Sequence, residues 1–397
     1  MNQTVALVDF APVVRLALLA LVVALLPLSW VWLRQRGTDA RRRLAALTAL
    51  TLFLTFDLIV FGSFTRLSDS GLGCPDWPGC YGEASPFGAH ADIHAAQTQM
   101  PSGPVTFTKA WIEMIHRYVA MTVGVLILAM AAFAWRERLK SRHALPLSPW
   151  WPTLTLVWVV VQGLFGKYTV TLKLYPAIVT LHLLGGLVLL SLLAFQHEAF
   201  GGRPIALTPR LRGATLGVAA LLVLQITLGG WVSTNYAVLA CTGFPTCNGQ
   251  WWPPMEFAEG FGVLRHLGQT GSGTLLSMPS LVGIHMVHRI VAVFAATALL
   301  VLAWRLRRSA DAAAARFGAG LAVLTLLQVA TGLSNVELNW PIVAALMHSG
   351  GAAALVLLLA LLLARSAHRA DSVDSVDSVD SADSARRALS RSRAAAP

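Results

Sequence analysis

The sequence predicts an all-α polytopic membrane protein: two tandem four-helix bundles in parallel repeat, preceded by one extra N-terminal transmembrane helix. Three observations predict it. Apolar residues make up 56% of the 397 positions and charged residues only 12%, well below the roughly 25% charged of a soluble domain. The apolar residues fall in blocks of about 20, the length that crosses a hydrocarbon core about 30 Å thick. The chain also repeats itself, landmark by landmark, at a nearly constant offset.

Nine apolar segments stand near 12–33, 45–65, 110–134, 150–170, 177–197, 213–233, 281–304, 316–334 and 342–364. The net charge of +11 does not point to nucleic acid, because its distribution follows the segments. The loops 34–43, 135–149, 198–212 and 305–316, with the tail after 364, hold 22 of the 30 Lys and Arg. Every second loop is therefore basic, the positive-inside pattern. It places these loops and the C-terminus in the cytoplasm. The N-terminus and the loops 66–109, 171–176, 234–280 and 335–341 then lie outside.

The first segment lacks a basic n-region and a small-residue cleavage site, so it reads as an anchor and not a cleaved signal. No Arg/Ser-rich amphipathic transit peptide is evident either, which favours a bacterial plasma membrane. The tail carries DSVDSVDSVD at 371–380 and has too few apolar residues for a core, so disorder is expected there. The organisation is then 1–43 for the extra segment and its basic loop, 44–200 and 201–366 for the two units, and 367–397 for the tail.

The internal copy runs through four landmarks. GSFTR at 62–66 precedes GCPDWPGC with Cys74 and Cys80, and GGWVST at 229–234 precedes ACTGFPTC with Cys241 and Cys247. EMIHR at 113–117 answers to HMVHR at 285–289, and QGLFG at 162–166 to QVATG at 328–332. LHLLGG at 181–186 answers to LMHSGG at 346–351. Both copies begin on the cytoplasmic side, which makes the repeat parallel, about an axis along the membrane normal.

Four histidines, His116, His182, His288 and His348, each lie six or seven residues into a segment entered from outside, a depth of about 10 Å. Polar groups at such depth are costly and usually functional. Within each unit the two His-bearing segments run in the same direction, so each pair sits at one level and can face across a planar ligand. Haem suits that geometry, with an imidazole on each face of the iron and an apolar slot for the ring. Gly185, Gly186, Gly350 and Gly351 let a ring approach, and Arg117 and Arg289 stand where propionates would want cations. A di-iron reading of Glu113-x-x-His116 fails for want of a second Glu-x-x-His and further helical carboxylates.

All four cysteines lie in outside loops, and pairwise C-x5-C spacing in an oxidising compartment favours disulfides Cys74–Cys80 and Cys241–Cys247. Each bridge either closes a loop over its bundle or, if exposed and easily reduced, takes part in redox or haem transfer. Zinc is disfavoured by the spacing. His90 and His94, at i and i+4 in the first outside loop, read as solvated histidines in preference to a metal site.

These motifs together resemble the haem A synthase family, over about 45–364: TRLSDSGLGCPDWPGC, EMIHR, QGLFGKYTV before LHLLGG, then HMVHR and the MHSGG box. The segment at 12–33 and the DSV tail lie outside the usual eight-helix pattern. The resemblance implies oxidation of the C8 methyl of haem O to a formyl group, through successive hydroxylations and loss of water, for cytochrome oxidase biogenesis. It implies that His116 and His182 ligate the substrate haem O, and His288 and His348 a haem b cofactor. Glu113 has no counterpart in the second unit, where His285 stands, and is the expected catalytic residue; the alternative is a carboxylate that orients Arg117 or His116. Implied partners are haem O synthase as the source of substrate, a membrane electron acceptor or donor, and cytochrome oxidase assembly factors. Competing readings are a di-haem b quinol-oxidising electron carrier, a membrane thiol oxidase and a haem chaperone.

Overall fold

The computed structural model describes residues 11–140 and 145–366. The DSV-bearing tail and the first ten residues lie outside the described residues.

Among the described residues, nine long helices carry the nine expected segments. They are α1 (Ala11–Arg34), α2 (Ala40–Leu67), α4 (Phe107–Lys140), α5 (Trp150–Thr171), α6 (Pro176–Gly201), α7 (Pro209–Thr234), α9 (Met278–Arg307), α10 (Ala312–Glu337) and α11 (Ile342–Ser366). Two short helices, α3 (His90–Gln99) and α8 (Phe257–Gly260), lie in the two long loops. Among the described residues there is no strand, only isolated bridges in those loops. The chain is a multi-pass membrane protein.

Local chemistry explains the ends and the polar interiors of these helices. Asp39, Thr208, Ser277 and Asp311 cap α2, α7, α9 and α10 by accepting from backbone N–H groups of the first turn, which removes orphan donors that a membrane could not satisfy. Proline opens α6, α7 and α9, where its missing N–H costs nothing. Inside the spans, Thr48, Thr51, Thr55, Thr180, Thr215 and Thr325 donate to the carbonyl four residues back. Their hydroxyls are thereby satisfied without water. Outward positions such as Phe53, Val157, Val293 and Val323 are exposed and apolar, which hydrocarbon accepts.

In the first half α2 packs on α4 and α6, and α5 on both of those. In the second half α9 packs between α7 and α10. The halves meet through α6 against α7 and through α2 against α11, where Gly350 approaches Val60. Leucines of both halves merge into one apolar core, including Leu126, Leu190, Leu299 and Leu359. The extra helix α1 buries Leu16, Ala20, Ala24 and Val31 on one face. Its main neighbour is α4, so it lies against the first half.

Three polar contacts join the halves across a separation of 167 residues. Arg66 Nη2 donates to the Ser233 carbonyl at 2.6 Å and Tyr236 O–H to Asp69 Oδ1 at 2.8 Å. At the other end of the bundle Arg365 donates to both carboxylate oxygens of Glu198, at 2.8 and 3.0 Å. The separation equals the offset between the paired cysteines, so these contacts join residues at matching positions of the repeat. Glu198 is buried, so Arg365→Met leaves a carboxylate without its cation. The expected cost is about 1–3 kcal/mol, reduced because the arginine is partly exposed. It is measured as thermal unfolding in detergent, and Glu198→Gln with Arg365→Met should recover part of the loss.

Candidate functional site

Each half carries two histidines inside its membrane-spanning helices: His116 of α4 and His182 of α6 in the first, His288 of α9 and His348 of α11 in the second. The helices α4 and α9 begin at Phe107 and Met278, three residues before the expected starts. His116 and His288 therefore follow nine and ten residues of helix, and His182 and His348 six. The added residues lie at the cysteine end of each helix.

Glycine makes room for every imidazole. A Cβ at Gly62 would stand 2.9 Å from His116 Cε1, and one at Gly229 would stand 3.0 Å from His288 Cε1. At Gly166 and Gly332 the corresponding distances to His182 and His348 Cε1 are 3.6 and 3.2 Å. The sequence pointed to the glycines after His182 and His348. The structure adds these four on facing helices. Gly185 and Gly351 serve differently: the side-chain amides of Gln162 and Gln328 approach them so closely that a Cβ would collide. Gln162 is buried, and neither end of its amide has a hydrogen-bond partner.

The cysteine loops are clamped onto the same helices. The pairs Cys74–Cys80 and Cys241–Cys247 form disulfides with Cα–Cα distances of 4.9 Å, as the spacing predicts. Neither bridge is exposed, which corrects the expectation behind an easily reduced pair. Cys74, Cys80 and Cys247 are fully buried and Cys241 nearly so. The first bridge is covered by Leu16, Ile93 and Met114, the second by Val282 and Met286. The loops fold back onto α4 and α9, and in the first half the extra helix adds Leu16 to the cover.

Arg117 and Arg289 hold those loops. Arg117 donates to the carbonyls of Asp76, Pro78 and Gly79 and pairs with the Glu113 carboxylate. Arg289 donates to the carbonyls of Cys241, Gly243 and Thr246 at 2.9–3.1 Å. Glu113 is buried, and its second oxygen accepts from the Cys74 N–H at 2.8 Å. His285, in the matching place, is also buried and has Nδ1 3.0 Å from the Ala237 carbonyl. The two guanidinium groups thus put positive charge at the cysteine end of each histidine pair.

His90 and His94 lie on α3, exposed, with rings 6.3 Å apart. Among the described residues no group of three or more His, Cys, Asp or Glu could hold a metal ion.

The chain is thus a helical membrane protein with two intramembrane histidine pairs, each over a glycine cradle and beneath a clamped disulfide loop. The cytochrome oxidase assembly protein family COX15-CtaA matches residues 45–360, and the chain belongs to that family. It is 40% identical over 321 residues to a protein of Shewanella oneidensis named haem A synthase, covering 80% of this chain and 94% of that one. A protein of the same name from Halalkalibacterium halodurans is 29% identical over 74% of this chain and 86% of its own length. A third, from Alkalihalophilus pseudofirmus, is 28% identical over 78% and 92%. The matched region leaves out α1.

Proposed function

We propose that the chain is a haem A synthase, oxidising the C8 methyl of haem O to a formyl group by successive hydroxylations, for cytochrome oxidase assembly. The observation that carries this reading is the duplicated histidine pair inside the membrane, in a chain similar over most of its length to proteins named haem A synthase. Residues 44–200 form the unit that holds haem O between His116 and His182. Residues 201–366 form the unit that holds haem b between His288 and His348.

The residues fit such rings. Each of the four imidazoles sits against a glycine of a facing helix. The buried Nδ1 atoms of His116 and His182 and the amide of Gln162 lack partners within the protein. Haem b, when bound, supplies one-electron transfer. Arg117 and Arg289 set a cationic field at the cysteine end, toward which propionates orient. Glu113, one turn before His116, holds or moves the protons released from the reacting carbon. Its pairing with Arg117 and the Cys74 N–H holds the carboxyl group in place.

Haem O synthase supplies the substrate, a membrane carrier exchanges electrons, and assembly factors receive the product. The cysteine loops face outward from a bacterial plasma membrane, with the C-terminus in the cytoplasm. Expression in a bacterium that makes haem O but lacks haem A tests the reading. Haems extracted from the membranes and separated by mass should include a formyl or hydroxymethyl derivative. Haem B and haem O alone, in a host supplying the electron partner, would overturn it.

A further inference from the structure

The two histidine pairs differ in one respect that their common packing makes conspicuous. In the second half both Nδ1 atoms have side-chain partners. The Gln225 amide nitrogen of α7 lies 3.0 Å from His288 Nδ1, and Thr331 Oγ1 of α10 lies 3.1 Å from His348 Nδ1. In the first half the Nδ1 atoms of His116 and His182 are buried with no partner.

The difference is written in the sequence at matching positions. Gln225 stands four residues before Gly229, which abuts His288; four residues before Gly62, which abuts His116, stands Leu58. Thr331 immediately precedes Gly332, against His348; Phe165 immediately precedes Gly166, against His182. Leucine and phenylalanine offer no polar atom. His116 has instead a parallel phenyl ring, that of Phe61, with centroids 6.2 Å apart.

Hydrogen-bond chemistry gives the second-half partners a direction. The Thr331 hydroxyl donates to the Leu327 carbonyl at 2.8 Å, so its lone pairs face His348 and accept from an Nδ1–H. Gln225 Nε2 also donates to the His288 carbonyl at 3.3 Å, and its Oε1 is without a partner; with the ring's Nε2 on iron and its proton on Nδ1, the amide turns end for end, giving up the carbonyl bond to accept from the Nδ1–H of His288. A proton fixed on Nδ1 leaves Nε2 bare for iron, fixes the ring orientation and makes the imidazole a stronger donor. An imidazole with no Nδ1 partner has none of these constraints.

We infer that Gln225 and Thr331 are positioning residues that make the second site a resident haem site, and that Leu58 and Phe165 leave the first site able to exchange its haem. The inference rests on the assignment of haem b to the second pair and of the converted haem to the first. A site that converts haem must admit substrate and release product, whereas a redox cofactor must stay. The same fold meets both needs by changing two side chains on facing helices.

The test uses the full chain carrying His116→Ala and His182→Ala, purified with haem in the second site alone. Transfer of that haem to apomyoglobin gives its rate of loss, and redox titration gives its midpoint potential. Thr331→Val, nearly isosteric, and Gln225→Leu should together speed loss about ten- to a hundredfold. The potential should rise, because a less basic imidazole favours ferric iron less. Thr331→Ser, with its hydroxyl kept, should retain the parent rate and potential; this separates the hydrogen bond from packing. Loss and potential both unchanged in Thr331→Val and in Gln225→Leu would overturn the proposal. A His116→Ala/His182→Ala chain that binds no haem would contradict the site assignment itself and remove the proposal with it.

Discussion

Replacing Glu113 by glutamine is expected to slow conversion of haem O by about a hundredfold or more while the chain keeps its haem, as for loss of a positioned general acid or base. Glutamine has the same shape and can still accept from the Cys74 N–H, so the loop keeps one of its two anchors. What it loses is the charge that meets Arg117. The second half shows that the anchoring task does not require a carboxylate, since His285 reaches the Ala237 carbonyl in the matching place. A carboxylate present only in the first half fits the catalytic role proposed for it. The check compares formyl and hydroxymethyl haem formed per bound haem in Glu113→Gln and wild type. Wild-type conversion with haem retained would leave Glu113 a loop anchor and nothing more.

The second large effect is on stability. Arg117→Met is expected to cost about 3–5 kcal/mol, because it leaves the buried Glu113 carboxylate without its counter-charge. It also takes the donor from three loop carbonyls. The Cys74–Cys80 bridge is fully buried beneath that loop, so loosening it should expose the disulfide. Two readouts follow: a lower unfolding temperature in detergent, and faster reduction of the bridge by a small thiol. Arg289→Met should release the second loop with a smaller penalty, since its hydrogen bonds go to neutral carbonyls and leave no buried carboxylate behind. Equal losses from the two variants would mean that the Glu113 charge is not what Arg117 balances.

The spans were legible because membrane physics leaves few choices: twenty apolar residues in a row, with basic loops alternating, permit little besides a helix bundle. The histidines were legible for a related reason, being polar groups at repeated depth in apolar helices. The extra turns of α4 and α9 were not, because Lys109 and Ser280 read as loop residues until the folded-back cysteine loops give those turns something to pack on. The burial of the disulfides was hidden for the same reason; local spacing shows which cysteines can pair but not what covers them. Gln225 and Thr331 carried a weak signal. Both are polar residues inside apolar segments, and Thr331 also donates to its own helix, as many threonines do. Only their distances to His288 and His348 distinguish them. The contacts between halves at a separation of 167 residues follow from the repeat, but which equivalents meet depends on packing that the pattern does not encode.

Haem identity in two complementary variants tests the central claim, a division of labour between the histidine pairs. His116→Ala with His182→Ala, and His288→Ala with His348→Ala, would each be purified from a host making both haem B and haem O. The bound haem would be extracted and separated by mass. The account predicts haem B alone in the first variant, and unconverted haem O in the second. Haem O retained by the first variant, or haem B retained by the second in its place, would contradict it.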